Sequence, residues 1–221
     1  MVTMLVFIAT GFTGALTLSF LLRLLYRTVA TPPSVTAHFS PKGGVTDAVV
    51  SELGRARREV LVLAYSFTSQ PIAKALIEAK TRGVNVEIIL DHSNETEPYS
   101  DLHFFLEQKL PPVIDAPHAI AHNKVMIIDG RTILTGSFNF THQAENENAE
   151  NLLVIKGHPD LVRLYRGNFE VHKEHARAAE AKVAPAVNPA TRSAPGPAGK
   201  AGAAHQKVPA IHIDSVPKHA A

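Results

Sequence analysis

The chain contains no cysteine and no tryptophan among its 221 residues. The first absence excludes disulfides, thiolate metal sites and cysteine nucleophiles, and leaves the compartment open because a cysteine-free chain tolerates either redox condition. The second, with aromatics at only 6%, means that a core must be filled mostly by Leu, Ile, Val and Phe. Charge is scarce at one end: Met1 to Leu22 carries no charged side chain, and Arg23 and Arg27 follow it. A basic nucleic-acid footprint is also missing. The formal net charge of +2 hides an uneven distribution, since Arg23 and Arg27 supply +2 before residue 35. Beyond residue 180, five cations against Asp214 supply +4, which leaves −4 for residues 35–180. The folded part is therefore mildly acidic, which weakens a nucleic-acid substrate without excluding one.

What is present divides into three parts. Residues 1–30 form an apolar segment of a length that spans a bilayer as a helix. With no basic residue before it and no A-x-A site after it, it reads as an uncleaved membrane anchor, with a cleaved signal segment as the alternative. Both arginines lie on its C-terminal flank, which would place the following domain on the cytoplasmic side; cleavage would instead release the domain to the periplasm. Thr31-Pro32-Pro33-Ser34 is a stiff linker. Residues 35–180 alternate helix and strand patterns. From Val183 to Ala221, Ala, Pro and Gly dominate, a composition unable to offset ordering entropy by burial, so a disordered basic tail is expected.

Within 35–180 the order is legible. Thr46 can cap a helix running to about Arg58. Glu59 to Phe67, EVLVLAYSF, is too apolar to have one wet face and reads as a central strand. Ser69 and Pro71 open a helix closed by Gly83. Asn85 to Asp91 is a second strand, parallel to the first by a right-handed crossover. His92 to Ser100 is a polar loop, and Asp101 to Leu110 a short helix stopped by Pro111-Pro112. Glu150 to Lys156 is a further buried strand. Pro159 to Lys182 is an amphipathic helix with Leu161, Leu164, Tyr165 and Phe169 on one face. The expected fold class is α/β, a mixed and largely parallel central sheet flanked by helices on both faces.

The densest chemistry lies in Ala121 to Thr141, AHNKVMIIDGRTILTGSFNFT. Two strand-like runs flank Asp129-Gly130, a strong hairpin signal. If those two residues are the turn, partner numbers sum to 259 and His122 faces Ser137. Residues i and i+2 share a strand face, so His122, Lys124, Ser137 and Asn139 project together. One imidazole, one ammonium, one hydroxyl and one carboxamide suit a phosphate.

The spacing His122-x-Lys124-x4-Asp129-x6-Gly136-Ser137-x-Asn139 resembles the HKD motif of the phospholipase D superfamily. Ala64-Tyr65-Ser66-Phe67-Thr68, Thr135 to Thr141 and Glu150-Asn151-Leu152 extend the likeness to the small bacterial single-HKD endonucleases and the mitochondrial phospholipase D-like nucleases, over about residues 36–177. The resemblance implies a phospholipase D-like fold and a phosphodiesterase in which His122 forms a covalent phosphohistidine. It also implies Lys124, Ser137 and Asn139 as phosphate ligands, and Glu150 as an acid that orients the histidine. Asp129 belongs to the named motif, but an Asp-Gly turn would want it for conformation alone, and the hairpin count places it away from His122. Tyr65 and Ser66, at the C-terminal end of a central strand, are candidate cleft-lining residues.

The mechanism needs two histidines, and the chain holds one motif. His205-Gln206-Lys207 has the wrong spacing to an aspartate and no GSxN behind it. The second histidine is therefore expected from a second copy, in a homodimer. Nucleic acid is the expected substrate; membrane phospholipid is the alternative, which an anchor in residues 1–22 would bring close; a non-catalytic binding protein is a third reading. No metal and no cofactor are expected, because Lys124 and the histidines supply charge and proton transfer. His172 and His175 lie one helical turn apart but have no evident third ligand, and read as surface residues.

Overall fold

A computed structural model describes residues 32–179, Leu18 and Ser19, and the backbone of Ile211–Ile213. The chain separates into Met1–Pro32 and Pro33–Ala221, and the described fold belongs to the second. The expected anchor therefore lies outside the described residues, among which no helix is long and apolar enough to cross a membrane.

Nine strands form one sheet: β1 (Ser34–Phe39), β2 (Glu59–Ala64), β3 (Asn85–Asp91), β4 (Val113–Asp115), β5 (Lys124–Ile128), β6 (Thr132–Gly136), β7 (Asn151–Lys156), β8 (Arg177–Ala178) and β9 (Ile211–Ile213), in the spatial order β8-β4-β3-β2-β5-β6-β7-β1-β9. Among residues 32–179 five α-helices accompany them: α1 (Val45–Arg55), α2 (Gln70–Thr81), α3 (Leu102–Glu107), α4 (His142–Asn146) and α5 (Pro159–His175). The fold is mixed α/β with helices on both faces, as the sequence implies. The balance of the sheet differs from expectation. Only β2–β3 and β3–β4 pair in parallel; β2–β5, β5–β6, β6–β7, β1–β7, β1–β9 and β4–β8 are antiparallel. The helical crossovers after β2 and β3 return the chain to start the next strand at the same end, the tight turn after β5 can only reverse it, and the connection after β6 brings β7 in antiparallel although it carries α4.

Every residue of β5 is buried, and so is β2 beyond Glu59, because helices cover both sides. On one face Val60, Val62, Ala64, Met126, Ile128 and Leu134 pack under Val49 and Leu53 of α1 and Ile72 and Leu76 of α2. On the other, Leu61, Leu63, Val125, Ile127 and Ile133 meet Val162 and Phe169 of α5. Leu164, expected on that face, is 69% exposed. Lacking tryptophan, the core uses Phe67, Phe105, Phe138 and Phe140 as its largest fillers, with Phe67 against Phe105 and Phe140 at ring-centroid distances of 5.1 and 5.7 Å.

The start of α1 is capped otherwise than the sequence suggests. Thr46 is not the cap of α1; Gly44 precedes the helix, and Glu145, from α4, accepts the Gly44 and Thr46 N–H groups at 3.0 and 2.7 Å. In the expected disordered tail, Ile211–Ile213 form a strand antiparallel to β1; the remainder of that tail lies outside the described residues.

The hairpin register is shifted by one from the expected count. Val125 pairs with Thr135 and Ile128 with Thr132, so partners sum to 260. Asp129 and Gly130 do turn at positive φ, 54° and 62°, and the Ile128 carbonyl accepts the Arg131 N–H at 3.0 Å. Arg131 is then an extra loop residue, its carbonyl accepting the Gly157 N–H at 3.2 Å rather than joining the ladder.

Asp129 has a structural task. Its carboxylate accepts the N–H groups of Arg57, Arg58 and Glu59 at 2.7–3.1 Å, and its own N–H donates to the Glu59 carbonyl at 3.0 Å. One side chain thus ties the hairpin turn to the start of β2. Asp129→Ala is expected to cost about 2–3 kcal/mol, combining lost charge-assisted bonds with about 1 kcal/mol of positive-φ strain. Asp129→Asn, which keeps an acceptor and tolerates that φ, should lose less. Urea unfolding with turnover per folded molecule checks both. A collapse of turnover at unchanged stability would return Asp129 to the chemistry.

Candidate active site

The site lies at the end of the sheet where β2 and β3 finish and β5 begins. Because β5 is antiparallel to β2, with Ala64 opposite Lys124, the residue after β2 meets the residues before β5. The Tyr65 N–H donates to the Asn123 carbonyl at 2.8 Å, and the Tyr65 ring lies 4.7 Å from the His122 ring, centroid to centroid. The Lys124 Nζ sits 5.0 Å over the same tyrosine ring and donates to the His122 carbonyl at 3.0 Å. Tyr65, His122 and Lys124 form one cluster, with His122 exposed and Lys124 only 6% exposed.

An ammonium so enclosed is an unusual expenditure of stability. Burial pushes the Lys124 pKa below the usual lysine range, and the charge of Glu150 opposes that shift. Glu150 is therefore electrostatically coupled to the cluster, although it begins on a different strand end. Ser40, which motif reasoning missed, holds it there. The Ser40 N–H donates to the Glu150 carbonyl at 3.0 Å, and the Ser40 hydroxyl accepts the Glu150 N–H at 3.2 Å. The Glu150 carboxylate also accepts from Asn148 Nδ2 at 3.1 Å.

Ser137 and Asn139 follow β6, next to β5. The observed register sets Gly136, one residue before Ser137, opposite Lys124. There the ladder ends, with the Ser137 and Phe138 N–H groups both donating to the Asn151 carbonyl at 3.1 Å. Ser137 Oγ accepts from the Asn151 N–H and Nδ2 at 3.1 and 3.2 Å, so its hydroxyl is held beside Asn151 rather than against Lys124. A side chain at Gly136 would meet the Asn151 carbonyl at 2.2 Å, which explains glycine in that position. Asn139 is half-buried between the core residues Phe138 and Phe140, and its Oδ1 is enclosed with no hydrogen-bond partner among the described residues.

The loop leading to His122 is fixed from below. Asp91, at the end of β3, accepts the Ala121 N–H at 2.7 Å and the Ser93 N–H at 2.9 Å. Burial alone would raise its pKa; donors from Ser93 and Ala121 outweigh that and hold the carboxylate below its ordinary range. Asn94, also missed, donates from Nδ2 to the carbonyls of Tyr65 and Asp91 at 2.6 and 3.0 Å. Neither belongs to a short motif; only the topology shows that the ends of β2 and β3 converge on residue 121. Ser66 lies beside the cluster with its hydroxyl 3.5 Å from Glu97. Asp129 is absent from this end. Five residues of extended strand, about 17 Å, separate it from Lys124.

The sequence also misjudged His172 and His175. They are not isolated surface residues: with His118 they surround the fully buried carboxylate of Asp115.

An exposed imidazole beside a buried cation, at the carboxyl ends of α/β strands, is the arrangement that the HKD spacing led one to expect. Comparison with known proteins agrees. Residues 49–173 match the family described as cardiolipin synthase, PLD-like domain. A phospholipase D of Rickettsia bellii is 43% identical over 135 residues, 61% of this chain and 67% of that protein. A mitochondrial cardiolipin hydrolase of Chlamydomonas reinhardtii is 34% identical over 53% of this chain and 52% of that protein. The crystal structure of Nuc, a phospholipase D family member from Salmonella typhimurium, superposes with a TM-score of 0.64 at 36% identity, over 66% of this chain and 97% of that one. The chain belongs to the phospholipase D superfamily.

The coupling of Glu150 to Lys124 gives a direct check. Glu150→Gln removes the charge that opposes the effect of burial, so the Lys124 pKa should fall further below the usual lysine range. Lysine NMR titration reads it, and an unchanged Lys124 pKa would break the proposed coupling.

Proposed function

We propose that the chain hydrolyses nucleic-acid phosphodiester bonds through a covalent phosphohistidine on His122, in a site completed by a second copy of itself. The observation that carries this reading is the exposed His122 ring tilted against Tyr65 while the buried Lys124 ammonium lies over the same tyrosine ring. In the first step the His122 ring nitrogen forms a bond to phosphorus as the ester oxygen leaves with its electron pair. A proton from the partner copy's histidine neutralises that oxygen. In the second step that histidine takes a proton from water, whose oxygen displaces His122 from phosphorus. Lys124 supplies fixed positive charge to the phosphoryl oxygens through both steps, where a water-poor setting makes it count most. The unpaired amide of Asn139 suits a further bond to the same oxygens, and Ser137 borders them. Glu150 supports the cluster by keeping Lys124 protonated.

Two histidines are required and the chain has one motif, which is why a second copy is part of the proposal. The likeness of the motif and of AYSFT and GSFNFT to small single-HKD endonucleases supports nucleic acid. Phospholipid is the second reading. It is favoured by the names of the Rickettsia and Chlamydomonas relatives and by an exposed Ile120 two residues before His122. A membrane anchor in residues 1–22 would suit that substrate; such an anchor, and the side of the membrane it implies, remain part of the proposal.

The purified chain should be offered plasmid DNA, single-stranded DNA, RNA, phosphatidylcholine and cardiolipin beside a His122→Asn control. Cleavage of nucleic acid is expected, lowered at least about 1000-fold by His122→Asn, since no group remains to form the covalent intermediate. Cleavage of lipid alone would replace the first reading by the second. Wild-type turnover in His122→Asn would remove the site assignment altogether.

A further inference from the structure

We infer that Asp115, His118, His172 and His175 form a binding site for one divalent transition-metal ion, zinc foremost, separate from the phosphodiesterase chemistry. The four residues come from three places: Asp115 ends β4, His118 sits in the loop that leads to His122, and His172 and His175 occupy the last turn of α5. Spacing of three residues puts the two helical imidazoles on one face, and the pairing of β8 with β4 folds the end of α5 back against Asp115.

The geometry is that of a ligand set. His118 Nδ1 lies 2.8 Å and His172 Nδ1 2.5 Å from opposite oxygens of Asp115. His175 Nε2 lies 3.6 Å from the first of these oxygens. All four ligand atoms fall within 4.8 Å of one another. The three rings form a triangle with centroids 5.0, 5.1 and 5.6 Å apart.

Hydrogen bonding alone accounts for only part of this. Asp115 is fully buried and can be satisfied by His118 and His172. His175 Nε2 is then enclosed with no hydrogen-bond partner among the described residues, a costly state for a polar atom. A single divalent ion would engage that nitrogen, using one neutral nitrogen from each ring and one carboxylate oxygen. Three imidazoles and one carboxylate are borderline-to-hard ligands that suit zinc, and four protein ligands make a closed, structural site rather than a catalytic one. Bonds of about 2.0–2.1 Å require ligand atoms about 3.3 Å apart, so the set needs only small side-chain rotations to close.

Such an ion would act as a staple. It would join the sheet edge at β4 and the end of α5 to the loop whose other anchor is the Ala121–Asp91 hydrogen bond, three residues after His118. Its effect on function would be indirect, through the order of the segment bearing His122.

The test uses the full chain freed of metal by a chelator and dialysis, then titrated with zinc against a chromophoric competitor and, in parallel, with cobalt. One ion per chain is expected, with the intense visible bands of tetrahedral cobalt and a thermal midpoint several degrees higher. His118→Ala, on the exposed loop, and the pair His172→Ala/His175→Ala should each weaken binding at least about 100-fold. His122→Asn should bind as the parent chain does. Circular dichroism checks folding of each variant; if the helix pair misfolds, His118→Ala decides. Failure to bind a stoichiometric ion, or undiminished affinity and an unchanged cobalt spectrum in His118→Ala, would overturn the inference.

Discussion

The antiparallel pairing of β5 with β2 is the constraint on which the active site depends. β2, β3 and β4 run in parallel and finish at one end of the sheet. β5 enters beside β2 from that same end, with Ala64 opposite Lys124. The residues that precede and open β5 therefore stand against the residues that follow β2 and β3. A parallel β5 would carry His122 and Lys124 to the far end, where Asp129 now binds the backbone of residues 57–59. The two ends have divided the motif between them: the imidazole and ammonium serve the cleft, and the carboxylate holds the turn.

Around this pairing the protein places a cation where solvation is poor. Lys124 rests against the Tyr65 ring and the His122 carbonyl, with Glu150 as its electrostatic counterweight. A lysine in such a setting is costly to charge but interacts strongly with whatever anion reaches it. His122, by contrast, is exposed and carried on a loop pinned at Ala121 by Asp91. Stability is thus concentrated beneath His122, and access is left above it.

Much of this was legible in the residues. The apolar run of β2, the Asp129-Gly130 turn, the helical spacing of Ile72, Leu76 and Ala79, and the His122–Lys124 spacing each reflect local physics that a linear reading captures. Three features escaped it for identifiable reasons. Arg131 drops out of the ladder because its carbonyl bonds Gly157, a neighbour that counting outward from a turn cannot see, and the register moved by one. The mostly antiparallel character of the sheet rests on pairings between strands far apart in the chain, such as β2 with β5 and β1 with β7, and β1 and β4 were too short or too close to prolines to be read as strands. Ser40, Asn94 and the cluster of Asp115 with His118, His172 and His175 are joined only by topology, across as many as 110 positions in the case of Ser40 and Glu150. Spacing rules have nothing to say about partners so far apart.

The central claim is that His122 forms a covalent bond to phosphorus during turnover. It is tested most directly by mixing the chain with a phosphodiester substrate, quenching under alkaline denaturing conditions that preserve phosphohistidine, and sequencing the peptides by mass spectrometry. The account predicts an acid-labile adduct on the peptide bearing His122, formed and lost at rates compatible with turnover. Full turnover with no such adduct at any time, or an adduct on a different residue, would contradict it.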